Sequence, residues 1–265
     1  MSEPVAELPR RPVGFASVSS QTLSDQISRE IVKSILGGHF ATGSLLPSEK
    51  ELARQFNVSR PVVREAVQAV AMLGLLQRRQ GRGTRIAPEE DWRHLAPELL
   101  LARTEVGPVE DLLLELLELR RMVEVEAAAL AARRASEDDI AEMRRHLELM
   151  DKSPADPEVF TDHDLAFHNV VLRASGNDLL RPLFEQLRPL LRFARRLSVG
   201  TRPGGTIDSQ HGHWAVFEAI SRGDSKAARV AMTDHLSWTA NLDFAQRELR
   251  LKRQRIRSDA NTPTP

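Results

Sequence analysis

The 265-residue chain contains no cysteine and no tyrosine, and aromatic residues make up only 5% of it. Without cysteine there can be no disulfide framework, no thiolate nucleophile, no cysteine-ligated zinc finger and no iron–sulfur cluster. No apolar run approaches the roughly 18–20 residues that a membrane helix needs, and the opening MSEPVAELPRRPVGF lacks the apolar core of a signal peptide. The expectation is a cytoplasmic protein with no membrane partner. No His-Glu-x-x-His motif is present, which leaves zinc-hydrolase chemistry without its usual general base. Long alternating strand patterns and internal repeats are also missing. What remains is 41% hydrophobic residues in a sequence rich in Leu, Ala, Arg and Glu, the composition of a mainly helical protein with a real core.

The zero net charge hides a division. Residues 1–88 hold 12 Lys and Arg against 7 Asp and Glu, a net of +5, and the remaining residues hold 25 against 30, a net of −5. Seven of the eight histidines lie in the acidic part. A basic piece joined to an acidic, histidine-bearing piece implies two separate jobs. Residues 1–19, rich in Pro and Ser, read as a flexible arm. Residues 20–88 read as a first domain, 89–107 as a linker with a short helix, 108–250 as an all-helical second domain and 251–265 as a flexible tail.

In the first domain, Leu23, Ile27, Ile31, Ile35 and Leu36 recur at helical spacing up to Gly37–Gly38. Ser48 and Glu51 form a capping-box pattern that opens a short helix to about Phe56. Asn57 suits the turn, and Ser59 with Pro61 suits the start of a second helix ending before Gly74. Two helices joined so briefly make a helix-turn-helix candidate. Val63, Val67 and Val70 form its buried stripe. Arg60, Arg64 and Gln68 share the opposite face, where arginine can pair with guanine and glutamine with adenine in a major groove. LLQRRQGRGTRIA then reads as strand, turn and strand, with Arg78, Arg79, Arg82 and Arg85 in or beside a glycine-bearing tip. Such a wing can neutralise phosphates or enter a minor groove.

These residues resemble the winged helix-turn-helix of the GntR family of bacterial transcription regulators. The resemblance rests on Pro-Ser-Glu-x-x-Leu-Ala, Val-Ser-Arg-x-x-Val-Arg-Glu-Ala, Gly-Leu and Gly-x-Gly-Thr, over residues of about 22–88. It implies that Arg60 and Arg64 read bases, that Lys50 and Ser59 touch the DNA backbone, and that Gly81–Gly83 with Arg82 form the wing tip. Pro61-Val62 stands where a threonine-bearing pair is commoner, so Val62 is the point at which base preference is expected to differ.

The second domain reads as helices near 109–134, 136–152, 157–174, 177–199, 206–222 and 224–250, an antiparallel bundle. Asp164 and His168 lie four residues apart on one helix face, and His213 and His235 come from two further helices. One carboxylate and three imidazoles could surround a divalent ion with coordination positions left open. His163 and His211 fall on other faces. ELRRMVEVEAAALAA, Asp-x-x-Phe-His, Ala-Ser-Gly-Asn, His-x-x-x-x-x-Ala-Ile-x-x-Gly-Asp and Met-x-x-His-Leu, in this order, resemble the FCD domain of the fatty-acid-regulator branch of the same family. The resemblance implies a metal held by Asp164, His168, His213 and His235, and an arginine, Arg120, facing the ligand pocket.

The fold class expected is therefore mainly α, an N-terminal winged helix-turn-helix plus a C-terminal antiparallel bundle. The function expected is that of a non-enzymatic transcription regulator, a homodimeric repressor on a palindromic operator. A small organic or sugar acid would bind at a Zn, Ni or Mn ion and at Arg120, and an ion pair of Arg120 with Glu124 is the plainer role. Arg188 and Arg192 could also reach the pocket, but a solvated basic face shared with Arg195 and Arg196 is the plainer role. Trp214 and Trp238 suit core packing. The alternatives are a metal-dependent hydrolase or isomerase fused to a DNA-binding module, and a purely structural metal beside an acyl-CoA site.

Overall fold

The computed structural model describes residues 22–79, 83–153, 156–200 and 205–239. The arm, the tail, the last residues of the final helix expected to reach 250, and wing-tip residues Gly81 and Arg82 lie outside them. The chain begins with α1 (Leu23–Leu36), whose cap is reciprocal: the Thr22 hydroxyl accepts from the Asp25 amide at 3.1 Å, and the Asp25 carboxylate accepts from the Thr22 amide at 2.9 Å. Ile27, Ile31 and Ile35 are buried on one face of this helix.

Ser48 caps α2 (Glu49–Gln55) by accepting from the Glu51 amide at 3.2 Å. The other half of the expected box is missing, because the Glu51 carboxylate turns outward to Arg54 and Gln55. Asn57 adopts a left-handed φ of 53° in the turn, and α3 (Arg60–Met72) follows with a proline in its first turn. Ser59 occupies the capping position with extended backbone, yet its side chain makes no cap hydrogen bond. Gly74 is required twice over. Its φ is +82°, and a Cβ there would lie 2.1 Å from the Asp91 carbonyl oxygen. Strands β1 (Leu76–Arg79) and β2 (Gly83–Ile86) form the wing as an antiparallel pair, with Leu76 opposite Ile86 and Arg79 opposite Gly83.

The linker is a docked element. Its helix α4 (Pro97–Val106) buries Leu99 and Ala102 in the core built by α1 and α3, while Leu100 packs among Phe184, Leu187, Leu190 and Leu191 of a later helix. Lys33 of α1 pairs with Glu105 of α4. This helix therefore belongs to two cores at once.

The remainder is a bundle of α5 (Val109–Arg134), α6 (Glu137–Lys152), α7 (Pro157–Ala174), α8 (Leu180–Gly200), α9 (Gly205–Ser221) and α10 (Ser225–Thr239). Ser136 and Asp139 form a full capping box on α6, and Asp156 caps α7. The alanines of α5, Ala127 to Ala129 with Ala131 and Ala132, let it lie close to α10 and α7. Met143, Leu147, Phe160, Phe167, Val216, Phe217, Met232 and Leu236 fill the centre. Each such side chain contributes about 1.5–3 kcal/mol by leaving water. Among the described residues no helix is long and apolar enough to cross a membrane.

Candidate functional site

The helix-turn-helix presents its polar face outward. Val63, Ala66, Val67 and Val70 of α3 are at most 1% exposed. Arg60, Arg64 and Gln68 are exposed on the opposite side, with Val62 half-buried between the two. Lys50 at the start of α2, Ser59, Arg78, Arg79 and Gly83 are exposed on the neighbouring elements. Arg85 does something different from its wing companions: its Nη1 donates to the Gly43 carbonyl at 2.7 Å, tying the wing to the preceding loop. Glu49, which the sequence reading left without a role, approaches Arg64 Nε at 3.6 Å and Arg78 Nη2 at 3.2 Å.

In the bundle, α7, α9 and α10 bring His168, His213 and His235 together. All three are buried, and one ligand nitrogen from each lies within 4.8 Å of the others. His168 Nε2 and His235 Nε2 are 3.3 Å apart. Asp164 stands one turn before His168, with its Oδ1 2.9 Å from His213 Nε2 but without hydrogen-bond geometry. The second ring nitrogens have oxygens close by: His168 Nδ1 lies 2.6 Å from Glu124 Oε2, again without hydrogen-bond geometry, and His213 Nδ1 lies 3.3 Å from Gln210 Oε1 in a hydrogen bond. Outer carboxylate and amide oxygens of this kind fix ring orientation and leave Nε2 facing inward. His235 is accommodated by Gly212, where a Cβ would lie 2.6 Å from His235 Nδ1.

The electrostatics match a cation. Burial lowers the His213 pKa to about 4, outweighing the attraction of Asp164. Burial, then the neighbouring His213 and His168, push His235 well below its ordinary value. Burial alone would raise the carboxylates. It is overcome for Glu124, held at about 2 by Arg120 and His168, and for Asp164, held well below its ordinary range by Arg195 and His213. Neutral imidazoles beside ionised carboxylates are the protonation states that a divalent metal needs from its ligands. The donor set thus fits such an ion.

Beside this cluster a cavity of about 130 Å³ is lined by Arg120, Glu124, His168, Asn169, Phe184 and Arg188, among others. Arg120 does pair with Glu124, as the plainer reading held, but Glu124 is buried, Arg120 is half-buried and its guanidinium borders the cavity. Arg188 lines the cavity too, whereas Arg192 turns away to Glu158 and Asp162. Arg195 departs most from expectation. It is 7% exposed and joins Asp164 to Ser209 instead of facing solvent, while Arg196 is exposed on Glu158. A signal for it existed, since Phe184, Leu187, Leu191 and Arg195 share one helical stripe. His163 faces His146 at 3.2 Å and His211 is exposed, so neither joins the cluster. Trp214 packs on the core and donates to Asp151, and the Trp238 side chain lies outside the described residues.

Residues 23–86 match the family described as bacterial regulatory proteins, gntR family, and residues 115–237 match the FCD domain. The chain is 31% identical over 210 residues to the HTH-type transcriptional regulator LutR of Bacillus subtilis, covering 77% of this chain and 93% of that protein. It is 31% identical over 209 residues to the galactonate operon transcriptional repressor of Escherichia coli, covering 78% and 91%. Among solved structures, Lar, titled as controlling expression of the Listeria monocytogenes agr system, superposes with a TM-score of 0.59 at 18% identity, covering 87% of this chain and 99% of that one. That last likeness is one of fold alone.

Proposed function

This chain belongs to the gntR family of bacterial regulatory proteins and carries an FCD domain, and on that premise we propose that it is a cytoplasmic repressor whose grip on DNA is set by a small carboxylate bound in its bundle. It is a transcription regulator and not an enzyme. Its work is divided between a DNA-binding unit over 20–88 and an effector-binding unit over 108–250, joined by residues 89–107. The protein acts as a homodimer on a palindromic operator, because one recognition helix covers too few base pairs for specificity in a genome. Arg60 and Arg64 read bases with Val62 of the same helix turn contributing to base preference, Lys50 and Ser59 position the phosphate backbone, and Arg82 with Gly83 carries the wing into a groove.

Asp164, His168, His213 and His235 are the ligands of a divalent ion, zinc, nickel or manganese, which supplies open coordination positions to an incoming carboxylate. Arg120 gives that carboxylate a second, bidentate contact from the cavity wall. One observation carries this reading: a buried cluster of three imidazoles, with His213 and His235 held neutral by burial beside ionised carboxylates, adjoins through His168 a cavity bordered by a guanidinium. Effector binding changes the equilibrium between two placements of the DNA-binding units, and operator affinity falls by the difference in their stabilities.

The test is a duplex-binding titration of the metal-loaded full chain with and without acids. Galactonate and L-lactate come first, since the galactonate operon repressor and a putative L-lactate dehydrogenase operon regulatory protein of Escherichia coli are among the relatives. An active acid should weaken duplex binding at least tenfold in the wild type. Arg120→Ala should lose about 2–3 kcal/mol of acid affinity while its acid-free duplex affinity stays unchanged. Equal acid affinity in the two proteins would return Arg120 to the role of an ion-pair partner for Glu124.

A further inference from the structure

Glu49 is out of place electrostatically. It sits at the first position of α2, beside the exposed Arg64 and Arg78, where an approaching duplex brings a high density of negative charge. A carboxylate there opposes binding to any DNA. Its oxygens are nonetheless directed at two arginines from two other elements: Oε2 lies 3.6 Å from Arg64 Nε on α3, and Oε1 lies 3.2 Å from Arg78 Nη2 on β1. The Glu49 side chain is 28% exposed, against 62% for Arg64 and 47% for Arg78. The acid therefore sits beneath the arginines and not in front of them.

We infer that Glu49 is a specificity-determining positioning residue: it holds Arg64 and Arg78 off the phosphates so that Arg64 is presented to base edges. An unrestrained arginine on a DNA-facing surface pairs with whichever phosphate is nearest, and every sequence offers phosphates. The carboxylate approaches Arg64 from its Nε side, which leaves the terminal Nη pair for the bidentate contact that distinguishes guanine. Glu49 thereby weakens binding to all DNA and concentrates what remains on the correct sequence, a use of repulsion to gain discrimination. The inference rests on α3 being the base-reading helix.

The experiment uses the full chain as wild type, Glu49→Gln and Arg64→Ala. A duplex bearing the preferred sequence is first obtained by repeated selection of wild-type binders from a pool with a randomised centre. Each protein is then titrated with that duplex and with a scrambled duplex of equal length, at several salt concentrations, with circular dichroism melting as the control for folding. Glu49→Gln should reduce the ratio of preferred to scrambled affinity about tenfold, while its affinity for the scrambled duplex rises. Its salt dependence should steepen by about one to two in log–log slope, as up to two arginines become available to phosphates. A purely structural role would lower both affinities by one factor and leave the slope unchanged, and that result would overturn the inference. Should Arg64→Ala lose the ratio while Glu49→Gln keeps it, the inference fails and the reading of α3 survives. Should Arg64→Ala keep the wild-type ratio, or no sequence be enriched at all, the reading of α3 fails and the inference falls with it.

Discussion

Gly212 offers a perturbation of the histidine cluster that removes no ligand. It lies within α9, where replacing glycine by alanine ordinarily stabilises a helix by about 1 kcal/mol. Here the added Cβ would lie 2.6 Å from His235 Nδ1 and 3.2 Å from both Cβ and Cγ of the same residue. The ring is buried against His168 and His213, with centroids 5.2 Å and 4.2 Å away, so it cannot swing clear without opening the cluster. Overfilling a packed site of this kind costs about 1–3 kcal/mol. The two effects nearly offset, and metal-free Gly212→Ala should be destabilised by only about 0–2 kcal/mol. In a domain of this size that lowers the melting temperature by up to about 8 °C. The effect on metal should be far larger. At an ion concentration 100 times the dissociation constant, the wild type gains about 2.7 kcal/mol, a rise of about 5–11 °C. Gly212→Ala should show almost none of it. Differential scanning calorimetry with and without zinc reads both quantities. A Gly212→Ala protein with the full wild-type rise would mean that His235 does not depend on the space that Gly212 leaves.

Arg195→Ala should destabilise the metal-free protein by about 3–5 kcal/mol, because it strands the buried Asp164 carboxylate without its cation. Added zinc should restore part of that, and urea unfolding that matches the wild type without metal would contradict the pairing. Stability of the chelator-treated protein should fall between pH 6.5 and pH 4. His213, lowered to about 4 in the fold, stays neutral there while its unfolded counterpart, near 6.5, takes up a proton. The stabilisation is complete above about pH 6.5 and declines toward pH 4 by on the order of 3 kcal/mol. Glu124 and Asp164, held below their ordinary values, act only at lower pH. A urea midpoint equal at pH 7.5 and pH 4.5 would exclude the effect. Arg64→Ala should weaken binding to a preferred duplex by about 1–3 kcal/mol and flatten base preference at a single position, read by repeating the selection with the variant protein.

Much of this architecture is written locally in the chain. Capping residues such as Thr22, Ser48 and Ser136, with the glycines that end helices, place the helix boundaries within a few residues. The valine stripe of α3 separates its buried face from Arg60, Arg64 and Gln68. The three histidines are legible because Asp164 and His168 share a helix face and the later two stand in recognisable surroundings. Local pattern fails where a residue is explained by another helix. Arg195 and Glu124 occupy positions on apolar stripes, and only the partner across the bundle, Asp164 for one and Arg120 with His168 for the other, makes their burial tolerable. Gln210 and Gly212 matter through the rings they orient or admit, a relation without sequence spacing. The short helix expected in the linker is α4, but its place in two cores is not visible locally: Leu99 and Leu100 enter different ones because successive helical positions point some 100° apart.

Metal stoichiometry decides whether the three buried imidazoles and Asp164 form a working metal site. The full chain is stripped with chelator, dialysed, titrated with zinc in a calorimeter and assayed by elemental analysis, beside His168→Ala and His213→Ala. The wild type should bind a single ion per chain, with affinity that falls as pH drops toward about 6 and protons compete for the imidazoles. Both variants should retain their helical circular dichroism and hold no stoichiometric metal. A wild type that takes up no ion, or folded variants that bind zinc as it does, would contradict the account.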